Sequence, residues 1–359
     1  MWPSRSVRCN LTSHSHGRKC GGHVIPHVDV RISGPSQIVE ARHAALRLGL
    51  ERELDDSTRG RIAVIVTELG TNLVRHATGG RLLIGCHAHD HGCELEVISI
   101  DSGPGIPGHN RCIQHAQAVG AKPATGLSNV QRLSTDFSMF SVVGRGTVLL
   151  SRAWVPKPSS PAAASPRTHF EHSGICLASS GESMSSDAWD IRIEKDSATI
   201  VVADGVGHGL QGADASATVL EAVGEEHGSP GAALGRAHPY MKFPRDAAVA
   251  VAEIDARSRT VVFAGAGNIT GRIISSTVDN PLISQPGTLG AQAHELRDIT
   301  HAWPERSIVV LHSDGLQSQW SLSDVMGLLQ CDPAVIAGWL IRDYTRGGDD
   351  VSVVVLKRG

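Results

Sequence analysis

The sequence lacks an excess of charge of either sign and a long apolar run, and each absence excludes a class of protein. The formal net charge is −3, so no strongly basic surface for nucleic acid or an anionic membrane is indicated. No apolar segment reaches the length needed to span a bilayer. The basic residues near the start, Arg5, Arg8 and Lys19, are not followed by an apolar stretch, which argues against a secretory signal. We therefore expect a cytoplasmic protein with neither nucleic acid nor a membrane as partner.

The sequence also lacks a paired-cysteine motif. Its seven cysteines are odd in number and scattered, and none forms a CxxC pair. This pattern is more typical of reduced thiols in a cytosol than of a disulfide framework. We therefore predict free thiols, most of them acting as small buried apolar side chains.

The length and one proline-rich segment predict the domain organisation. A chain of 359 residues exceeds the usual size of one hydrophobic core, so two domains are expected. Residues 155–168 are rich in proline, serine and alanine and are predicted to form a linker. Residues 1–22 show no periodicity and are predicted to be a disordered tail, whose cysteines and histidines match no common zinc-finger spacing. The predicted domains are therefore 23–154 and 169–359.

The first domain begins with helical patterns and continues with strands. Apolar residues recur at helical spacing over 36–50 and 58–77, and strand-like patterns follow at 82–86, 93–100 and 146–152. Helices followed by an antiparallel sheet indicate an α+β sandwich.

The second domain has many strands and few helices, which favours stacked antiparallel sheets flanked by helices. Helices are predicted at 209–223 and 333–342. The predicted strands are 175–178, 189–193, 199–203, 247–255, 260–266, 271–275, 307–312 and 351–356.

Two groups of residues in the first domain suit phosphoryl transfer. Glu68 and Asn72 lie four residues apart on a predicted helix and therefore share one face. Asparagine offers a neutral oxygen to Mg²⁺, and glutamate accepts a proton from an attacking hydroxyl. Further on, a predicted strand ends in Asp101, followed by Gly103 and Gly105, where a carboxylate can accept a hydrogen bond from an exocyclic amine. Taken singly, these patterns also fit a solvated helix face and a plain turn.

The order of these motifs resembles a known family. Glu-x-x-x-Asn at 68–72 is followed by Asp-Ser-Gly-Pro-Gly-Ile at 101–106, Gly-Leu at 126–127 and Gly-Arg-Gly-Thr at 144–147. Together they resemble the GHKL (Bergerat) ATP-binding fold, and in particular the RsbT-like anti-sigma-factor serine kinases, over roughly residues 28–150. The resemblance implies ATP and Mg²⁺ as ligands.

The resemblance also implies individual roles. Glu68 would be the general base, Asn72 the Mg²⁺ ligand and Asp101 the acceptor for the adenine amine. Gly103 and Gly105 would shape the adenine pocket. The phosphate side would be lined by Gly126, Gly146 and Thr147.

The predicted phosphate lid departs from the family pattern. Residues 119–126 contain fewer glycines than these kinases usually carry there, and they include a proline. Backbone N–H groups of the lid normally surround the phosphates, and Lys122 is the candidate to supply positive charge instead. The sequence therefore supports ATP binding more strongly than kinase turnover.

In the second domain, apolar strands end or begin at acidic residues. Asp204 and Asp314 each follow a predicted strand, and Asp349 and Asp350 precede the last one. A single Asp-Gly pair indicates only a turn. Several carboxylates at strand ends suit Mg²⁺ or Mn²⁺, and two such ions ~4 Å apart activate a water for in-line attack on phosphorus.

These residues resemble the PPM-type metal-dependent phosphatases, in their SpoIIE-like and RsbX-like branch, over residues 169–357. The matching segments are Ala-Asp-Gly-Val-Gly-His-Gly at 203–209, His-Ser-Asp-Gly at 312–315 and Gly-Gly-Asp-Asp at 347–350. The resemblance implies an αββα sandwich holding two Mn²⁺ or Mg²⁺ ions. It implies as metal ligands Asp187, Asp204, Asp314, Asp349 and the carbonyl of Gly205.

Two neighbours of these ligands carry separate expectations. Of the final acidic pair, Asp349 and Asp350, we expect Asp350 not to bind metal. Ser186 stands where the family usually has glycine, so strain is expected if that position needs a positive φ.

The resemblances imply a bifunctional signalling regulator acting on a STAS-type anti-sigma-factor antagonist. The first domain would phosphorylate serine or threonine with ATP, and the second would hydrolyse phosphoserine or phosphothreonine. In the alternative, the first domain binds ATP and sequesters a partner, and the phosphatase is the only enzyme. A sensor or DNA-repair ATPase is disfavoured, because no dimerisation helix with a phosphoacceptor histidine precedes the first domain.

Overall fold

The computed structural model describes most of the chain. It covers residues 26–77, 79–89, 92–107, 112–114, 126–156, 169–207, 209–224, 228–241, 246–291 and 296–359. The predicted tail, the predicted linker from residue 157 onward and the predicted lid before Gly126 lie outside these residues. The domain boundaries therefore stay predictions.

The N-terminal part contains a six-stranded antiparallel sheet with the strand order β1-β2-β3-β6-β5-β4. Its strands are β1 (Val28–Ile32), β2 (Gly80–His89), β3 (Gly92–Asp101), β4 (Ile113–Gln114), β5 (Asp136–Val142) and β6 (Gly146–Pro156). All three strands predicted for this part are present. The strands β1, β4 and β5 were not predicted from the sequence.

Three helices pack on one face of this sheet: α1 (Pro35–Glu51), α2 (Asp56–His76) and α3 (Gly126–Leu133). The side chain of Asp55 caps α2 by accepting a hydrogen bond of 2.9 Å from the backbone N–H of Thr58. The buried side of α2 carries Ile62, Leu69 and Leu73, whose spacing places them against the sheet.

The C-terminal part is built from two stacked five-stranded antiparallel sheets, as predicted. The first has the order β14-β11-β10-β9-β8 and the second the order β13-β12-β15-β16-β7. The strands are β7 (Phe170–Leu177), β8 (Asp187–Ile193), β9 (Ser197–Gly205), β10 (Ala247–Asp255), β11 (Thr260–Ala266), β12 (Thr270–Ile274), β13 (Asp279–Ile283), β14 (Ile299–Ala302), β15 (Ile308–His312) and β16 (Val351–Arg358).

Helices cover both outer faces of this sandwich. The first sheet is covered by α4 (Leu210–Gly224) and α5 (Pro230–Ala237), and the second by α6 (Pro333–Tyr344). Between the sheets, Phe263, Val309 and Leu356 belong to one buried apolar cluster. Helix α5 and the strands β13 and β14 were not predicted from the sequence.

Helix α6 is shared by the two parts of the chain. It packs on β7 and β16 with one side and on β3, β5 and β6 with the other. Every residue from Pro333 to Ile341 is buried, as expected for a helix with apolar surroundings on all sides. A single buried cluster joins Ile98 and Leu150 of the N-terminal sheet to Trp339 of α6. The apolar core therefore extends across the predicted boundary between domains.

The cysteine prediction is wrong for one pair. Cys86 and Cys93 form a disulfide across the β2–β3 hairpin from diagonal positions, since Cys86 pairs with Leu95 and Cys93 with Ala88. Cys112, Cys176 and Cys331 are free, and the last two are buried as predicted. None of the described helices is long and apolar enough to cross a membrane.

Candidate functional sites

The first candidate site lies between α2 and the start of α3. Glu68 and Asn72 point toward Gly126, where an added Cβ would lie 2.6 Å from Oε2 of Glu68 and 3.4 Å from Oδ1 of Asn72. Only glycine fits there without displacing the carboxylate. Asn129 of α3 donates a hydrogen bond of 3.4 Å to Oε1 of Glu68. The structure thus brings three predicted site residues together.

The amide of Asn72 is incompletely satisfied. Its Nδ2 atom is buried and has no hydrogen-bond partner among the described residues. Buried polar atoms are nearly always paired in folded proteins, so an unpaired one beside a carboxylate suits a polar ligand. Glu68, Asn72 and Gly126 therefore fit the Mg²⁺ and phosphate end of a bound nucleotide.

The second group of the first site surrounds Asp101, at the end of β3. Its Oδ1 atom accepts a hydrogen bond of 2.8 Å from the backbone N–H of Gly103. Burial raises the pKa of Asp101, while hydrogen bonds from the backbone of Gly103 and Thr147 act in the opposite direction. A Cβ added at Gly103 would lie 2.9 Å from Cα of Ala77, which follows α2. The Asp101 loop therefore lies against the end of the helix that carries Asn72.

Two glycines near Asp101 are required by the backbone. Gly105 has φ +70° and Gly146 has φ +102°, a region that side chains disfavour. An added Cβ would lie 2.2 Å from the carbonyl oxygen of Val142 at Gly105, and 2.1 Å from that of Asp101 at Gly146. Both glycines let the loop close tightly around Asp101.

Thr147 takes part in a buried hydroxyl network. Its Oγ1 atom lies 2.9 Å from Oγ of Ser141, and Ser141 also accepts a hydrogen bond of 2.8 Å from the backbone N–H of Ile106. The sequence grouped Gly146 and Thr147 with Gly126, but the structure places both beside Asp101. Ser141 was missed because β5, which carries it, was not predicted.

The second candidate site is acidic and lies at the edge of the C-terminal sandwich. Asp187 begins β8 and faces Asp204 near the end of β9, in antiparallel register. Oδ2 of Asp187 accepts a hydrogen bond of 2.6 Å from Ser313, the residue before Asp314. Asn268 donates a bond of 3.3 Å to Oδ2 of Asp204. Ends of both sheets therefore meet at this site.

The acids of this site repel one another. Burial raises the pKa of Asp204 to about 6, and the charges of Asp314, Asp349 and Asp350 act in the same direction. Burial also raises the pKa of Asp187 well above its usual range, with the charge of Asp204 adding to it. Divalent cations would relieve both effects, and the carboxylates would have to close up around them, since no three of the described acids here bring ligand oxygens within 4.8 Å of one another.

Gly205 holds the turn after β9 against α4. An added Cβ would lie 2.0 Å from the carbonyl oxygen of Gly212, so the first turn of the helix lies directly on this residue. The backbone N–H of Gly205 donates a bond of 3.0 Å to the carbonyl of Ser186. This contact fixes the loop before Asp187 beside the turn that follows Asp204.

Asp350 holds the loop that carries Ser186. Its carboxylate accepts bonds of 2.6 Å from the backbone N–H groups of Ser179 and Ser186, and one of 2.5 Å from the Ser186 hydroxyl. Ser186 is not among the described non-glycine residues with positive φ, so the strain considered from the sequence is absent. Asp349, in contrast, accepts only from the backbone N–H of Asp350 at 2.9 Å among the hydrogen bonds described.

The N-terminal part is similar to the serine/threonine-protein kinase RsbT of Bacillus subtilis strain 168. The two are 30% identical over 126 residues, which is 35% of this chain and 95% of that protein. The family described as stage II sporulation protein E (SpoIIE) matches residues 194–359. This chain belongs to the RsbT family of serine/threonine-protein kinases and carries a SpoIIE domain, of the PP2C phosphatase type, in its C-terminal part.

Solved structures give weaker likenesses. RsbX in complex with magnesium is 19% identical, with a TM-score of 0.48, and covers 55% of this chain and 99% of its own. The structure of the PP2C phosphatase domain and part of the regulatory domain of SpoIIE from Bacillus subtilis is 11% identical, with a TM-score of 0.44. It covers 90% of this chain and 94% of its own.

The SpoIIE domain touches the RsbT-like site directly. Nη1 of Arg342, on α6, donates a bond of 3.4 Å to the carbonyl oxygen of Asp101. The Arg342 guanidinium carbon also lies 3.5 Å from the centre of the Trp339 ring, a cation–π contact. Arg145, in the turn before Gly146, forms ion pairs with Asp324 and Asp343. The end of β3 at Asp101 and the neighbouring turn between β5 and β6 are therefore both held by the SpoIIE domain.

Proposed function

We propose that this chain is a bifunctional regulator that phosphorylates and dephosphorylates serine or threonine on partner proteins. The RsbT-like part binds ATP in a GHKL-type fold and transfers its terminal phosphoryl group. The SpoIIE domain hydrolyses phosphoserine or phosphothreonine. The observation that carries the proposal is the presence, in one chain, of two separate constellations with different chemistry, one around Glu68 and one around Asp204.

The kinase proposal rests on the arrangement around α2. Asn72 would hold Mg²⁺, Glu68 would accept the proton of the attacking hydroxyl, and Asp101 would accept from the adenine amine. The unsatisfied Nδ2 donor of Asn72 suits a phosphate oxygen, its Oδ1 is the atom that would bind Mg²⁺, and Gly126 leaves space beside the Glu68 carboxylate. A carboxylate within reach of the incoming hydroxyl is what general-base assistance in phosphoryl transfer requires.

The phosphatase proposal rests on the acidic cluster. Asp187, Asp204, Asp314, Asp349 and the Gly205 carbonyl would hold two Mn²⁺ or Mg²⁺ ions. Such ions lower the pKa of bound water and neutralise charge on the phosphoryl group. Ser313 orients Asp187, and Asn268 orients Asp204, through the hydrogen bonds described above. These two positioning residues were not identified from the sequence.

The proposed partner is a small STAS-type antagonist protein with a phosphorylatable serine or threonine. This proposal is supported by the membership of this chain in the RsbT family. It is also supported by the resemblance of both halves to regulators of anti-sigma-factor pathways. Because ATP is the phosphoryl donor, we also place the protein in the cytoplasm.

The phosphatase half is tested with a phosphoserine-containing STAS protein and graded Mn²⁺. We expect Mn²⁺-dependent release of phosphate that falls at least 100-fold in Asp204→Asn. Asp190→Asn is the matched control, because Asp190 lies on β8 with Asp187 but outside the acidic cluster, and it should retain activity. Equal turnover in Asp204→Asn and the control would rule out the metal site.

The kinase half is tested by transfer of labelled phosphate from Mg-ATP to the unphosphorylated STAS protein, in an Asp204→Asn background that removes the opposing reaction. We expect transfer that is lost in Glu68→Gln and kept in Glu40→Gln, an exposed glutamate on α1. ATP binding without transfer in the Glu68-containing protein would establish the alternative, a nucleotide-dependent binding module beside a single enzyme.

A further inference from the structure

A cluster of histidine and carboxylate side chains lies on the N-terminal sheet and includes no residue of either candidate site. It consists of His27, just before β1, His87 on β2 and Glu96 on β3. These side chains lie on the sheet face that meets the C-terminal part. The ring of His87 is 6.2 Å from that of Trp189 on β8, and the backbone N–H of His27 donates to the carbonyl of Cys176 on β7 at 2.9 Å.

A glycine on the strand between His27 and Glu96 allows their side chains to come into contact. Gly85 of β2 pairs with Glu96 of β3, and β1 pairs with β2 on the other side, so His27 faces Glu96 across Gly85. A Cβ at Gly85 would lie only 2.6 Å from Nε2 of His27. Glycine at this position therefore lets the imidazole of His27 reach across one strand to the next.

The three side chains converge on one point. Oε1 of Glu96 lies 3.2 Å from Nε2 of His27 and 3.7 Å from Nε2 of His87, and one ligand atom from each residue lies within 4.8 Å of the other two. Tetrahedral zinc, with bonds of roughly 2.0–2.1 Å, holds its ligand atoms ~3.3 Å apart. Small side-chain rotations would give that spacing.

Both rings carry a nitrogen that the described residues leave unsatisfied. Nε2 of His87 and Nδ1 of His27 are buried and have no hydrogen-bond partner there. Of the two, only Nε2 of His87 lies beside the carboxylate, 3.7 Å from Oε1 of Glu96, where a further group can complete the network, whereas His27 meets Glu96 through its paired Nε2. The His87 side chain as a whole is 24% exposed, although its Nε2 atom is buried.

The surrounding charges favour a divalent cation. The Arg152 guanidinium is the shared partner of Glu94, Glu96 and Asp332, at distances of 3.0, 2.8 and 2.6 Å. Three carboxylates against one guanidinium leave a net charge of about −2 in a mostly buried region, which is unfavourable in a medium of low dielectric constant. A bound divalent ion with two neutral imidazoles would balance this charge.

We propose that His27, His87 and Glu96 form a zinc site at the junction of the RsbT-like part and the SpoIIE domain. Two imidazole nitrogens and one carboxylate oxygen suit Zn²⁺ better than Mg²⁺, which prefers oxygen ligands alone. A water molecule would take the fourth position. Arg152 positions Glu96 from behind, as partners of metal-bound carboxylates commonly do. The site stabilises the contact between the two parts and takes no part in either proposed reaction.

The test uses the full chain in the Asp204→Asn background, so that the acidic site contributes little metal binding. The protein is stripped with a chelator and titrated with Zn²⁺, and bound metal is measured by elemental analysis. We expect the parent to bind one equivalent of Zn²⁺ tightly. The His87→Gln variant should bind Zn²⁺ with an affinity lower by on the order of 100-fold. His43→Gln, an exposed histidine on α1, is the control and should bind like the parent.

A second measurement does not depend on the folding of a variant. Co²⁺ added to the stripped parent should give the intense visible absorption of tetrahedral coordination, which Zn²⁺ then abolishes. Absence of this absorption, or equal zinc affinity in His87→Gln and His43→Gln, would overturn the proposal. So would a parent protein that binds no zinc and gains stability only as the pH falls, which would identify the cluster as a network of protonated histidines.

Discussion

Arg152 and Asp332, 180 positions apart in the sequence, form a bidentate ion pair. Nη1 of Arg152 donates to Oδ2 of Asp332 at 2.6 Å, and Nη2 donates to Oδ1 at 3.0 Å. Asp332 also caps α6 by accepting a bond of 2.8 Å from the backbone N–H of Ala334. One carboxylate thus fixes both the start of α6 and its position on the N-terminal sheet.

We expect Asp332→Ala to destabilise the full chain by about 3 kcal/mol, because it removes a helix cap and leaves the buried Arg152 with one carboxylate fewer. Asp332→Asn keeps the capping ability and removes only the charge, so its effect should be clearly smaller. Urea unfolding of both variants measures the difference. Equal effects would show that the charge, and not the cap, accounts for the loss.

The packing of α6 on the N-terminal sheet depends on Gly338. A Cβ there would lie 3.0 Å from Cγ1 of Val148 and 3.4 Å from Cγ2 of Ile98. We expect Gly338→Val to destabilise the chain by about 1–3 kcal/mol, because the added methyl groups force the helix away from the sheet.

Gly235 of α5 is the matched control for this substitution. It is a helical glycine with no atom within 4 Å of an added Cβ, so Gly235→Val should change the stability by less than about 0.5 kcal/mol. Thermal unfolding of both proteins is the measurement. If the two variants unfold at the same temperature, α6 does not pack on the sheet as described.

The acidic site should make stability depend on pH in a direction opposite to that of carboxylates held in ion pairs. The folded-state pKa of Asp204, about 6, lies above its usual value of 3.8. Such a group contributes stability that is fully present below pH 3.8 and is lost as the pH rises through about 6. Without divalent cations, we expect the full chain to be stabilised on going from pH 7.5 to pH 5 by this group.

Asp204→Asn removes this titration, so the stability difference between pH 5 and pH 7.5 should shift in the variant by roughly 1–3 kcal/mol relative to the wild type. Mn²⁺ binding requires the ionised carboxylates, so its affinity should fall as the pH is lowered through about 6. Unfolding curves with and without Mn²⁺ at both pH values measure the two effects. A wild type and variant with identical pH dependence would contradict the electrostatic description of the site.

Ser186 offers a test of the loop that carries Asp187. Its hydroxyl donates to Asp350 at 2.5 Å, while its backbone N–H donates to the same oxygen at 2.6 Å. Ser186→Ala should cost about 1 kcal/mol and leave Mn²⁺ affinity within a few-fold, because the backbone bond remains. Asp350→Ala removes both of these bonds and the one from the backbone N–H of Ser179, so it should lower the affinity far more, although Asp350 is not a proposed ligand. Calorimetric Mn²⁺ titration of the two variants compares them.

Local patterns in the sequence predicted much of the fold. The bounds of β10 and β11 were predicted without error, because their apolar runs end at Asp-Ala and Gly-Asn turns. The strands β1 and β5 were missed. The sequence of β1 alternates apolar and polar residues, so its strand signal was present and overlooked. In contrast, β5 is buried on both faces and lacks the alternation that marks a half-exposed strand.

The candidate site residues could be named from the sequence, whereas the contacts that position them could not. Glu68 and Asn72 share a helix face by their spacing alone, and Asp187 and Asp204 lie at the ends of strands whose patterns are clear. Ser313 and Asn268 reach these acids from distant segments, and no local pattern encodes such a contact. The packing of α6 against both parts of the chain could have been expected from its sequence. From Pro333 to Ile341 the helix has apolar or small residues on all sides, as in a fully buried helix.

The central claim is that one chain carries two opposing activities at separate sites. The most direct test incubates a STAS-domain protein with Mg-ATP, Mn²⁺ and the wild type, Glu68→Gln or Asp204→Asn, and measures the phosphorylated fraction on a phosphate-affinity gel. We expect no phosphorylation with Glu68→Gln, and a higher steady level with Asp204→Asn than with the wild type. The same phosphorylated fraction with all three proteins would contradict the claim.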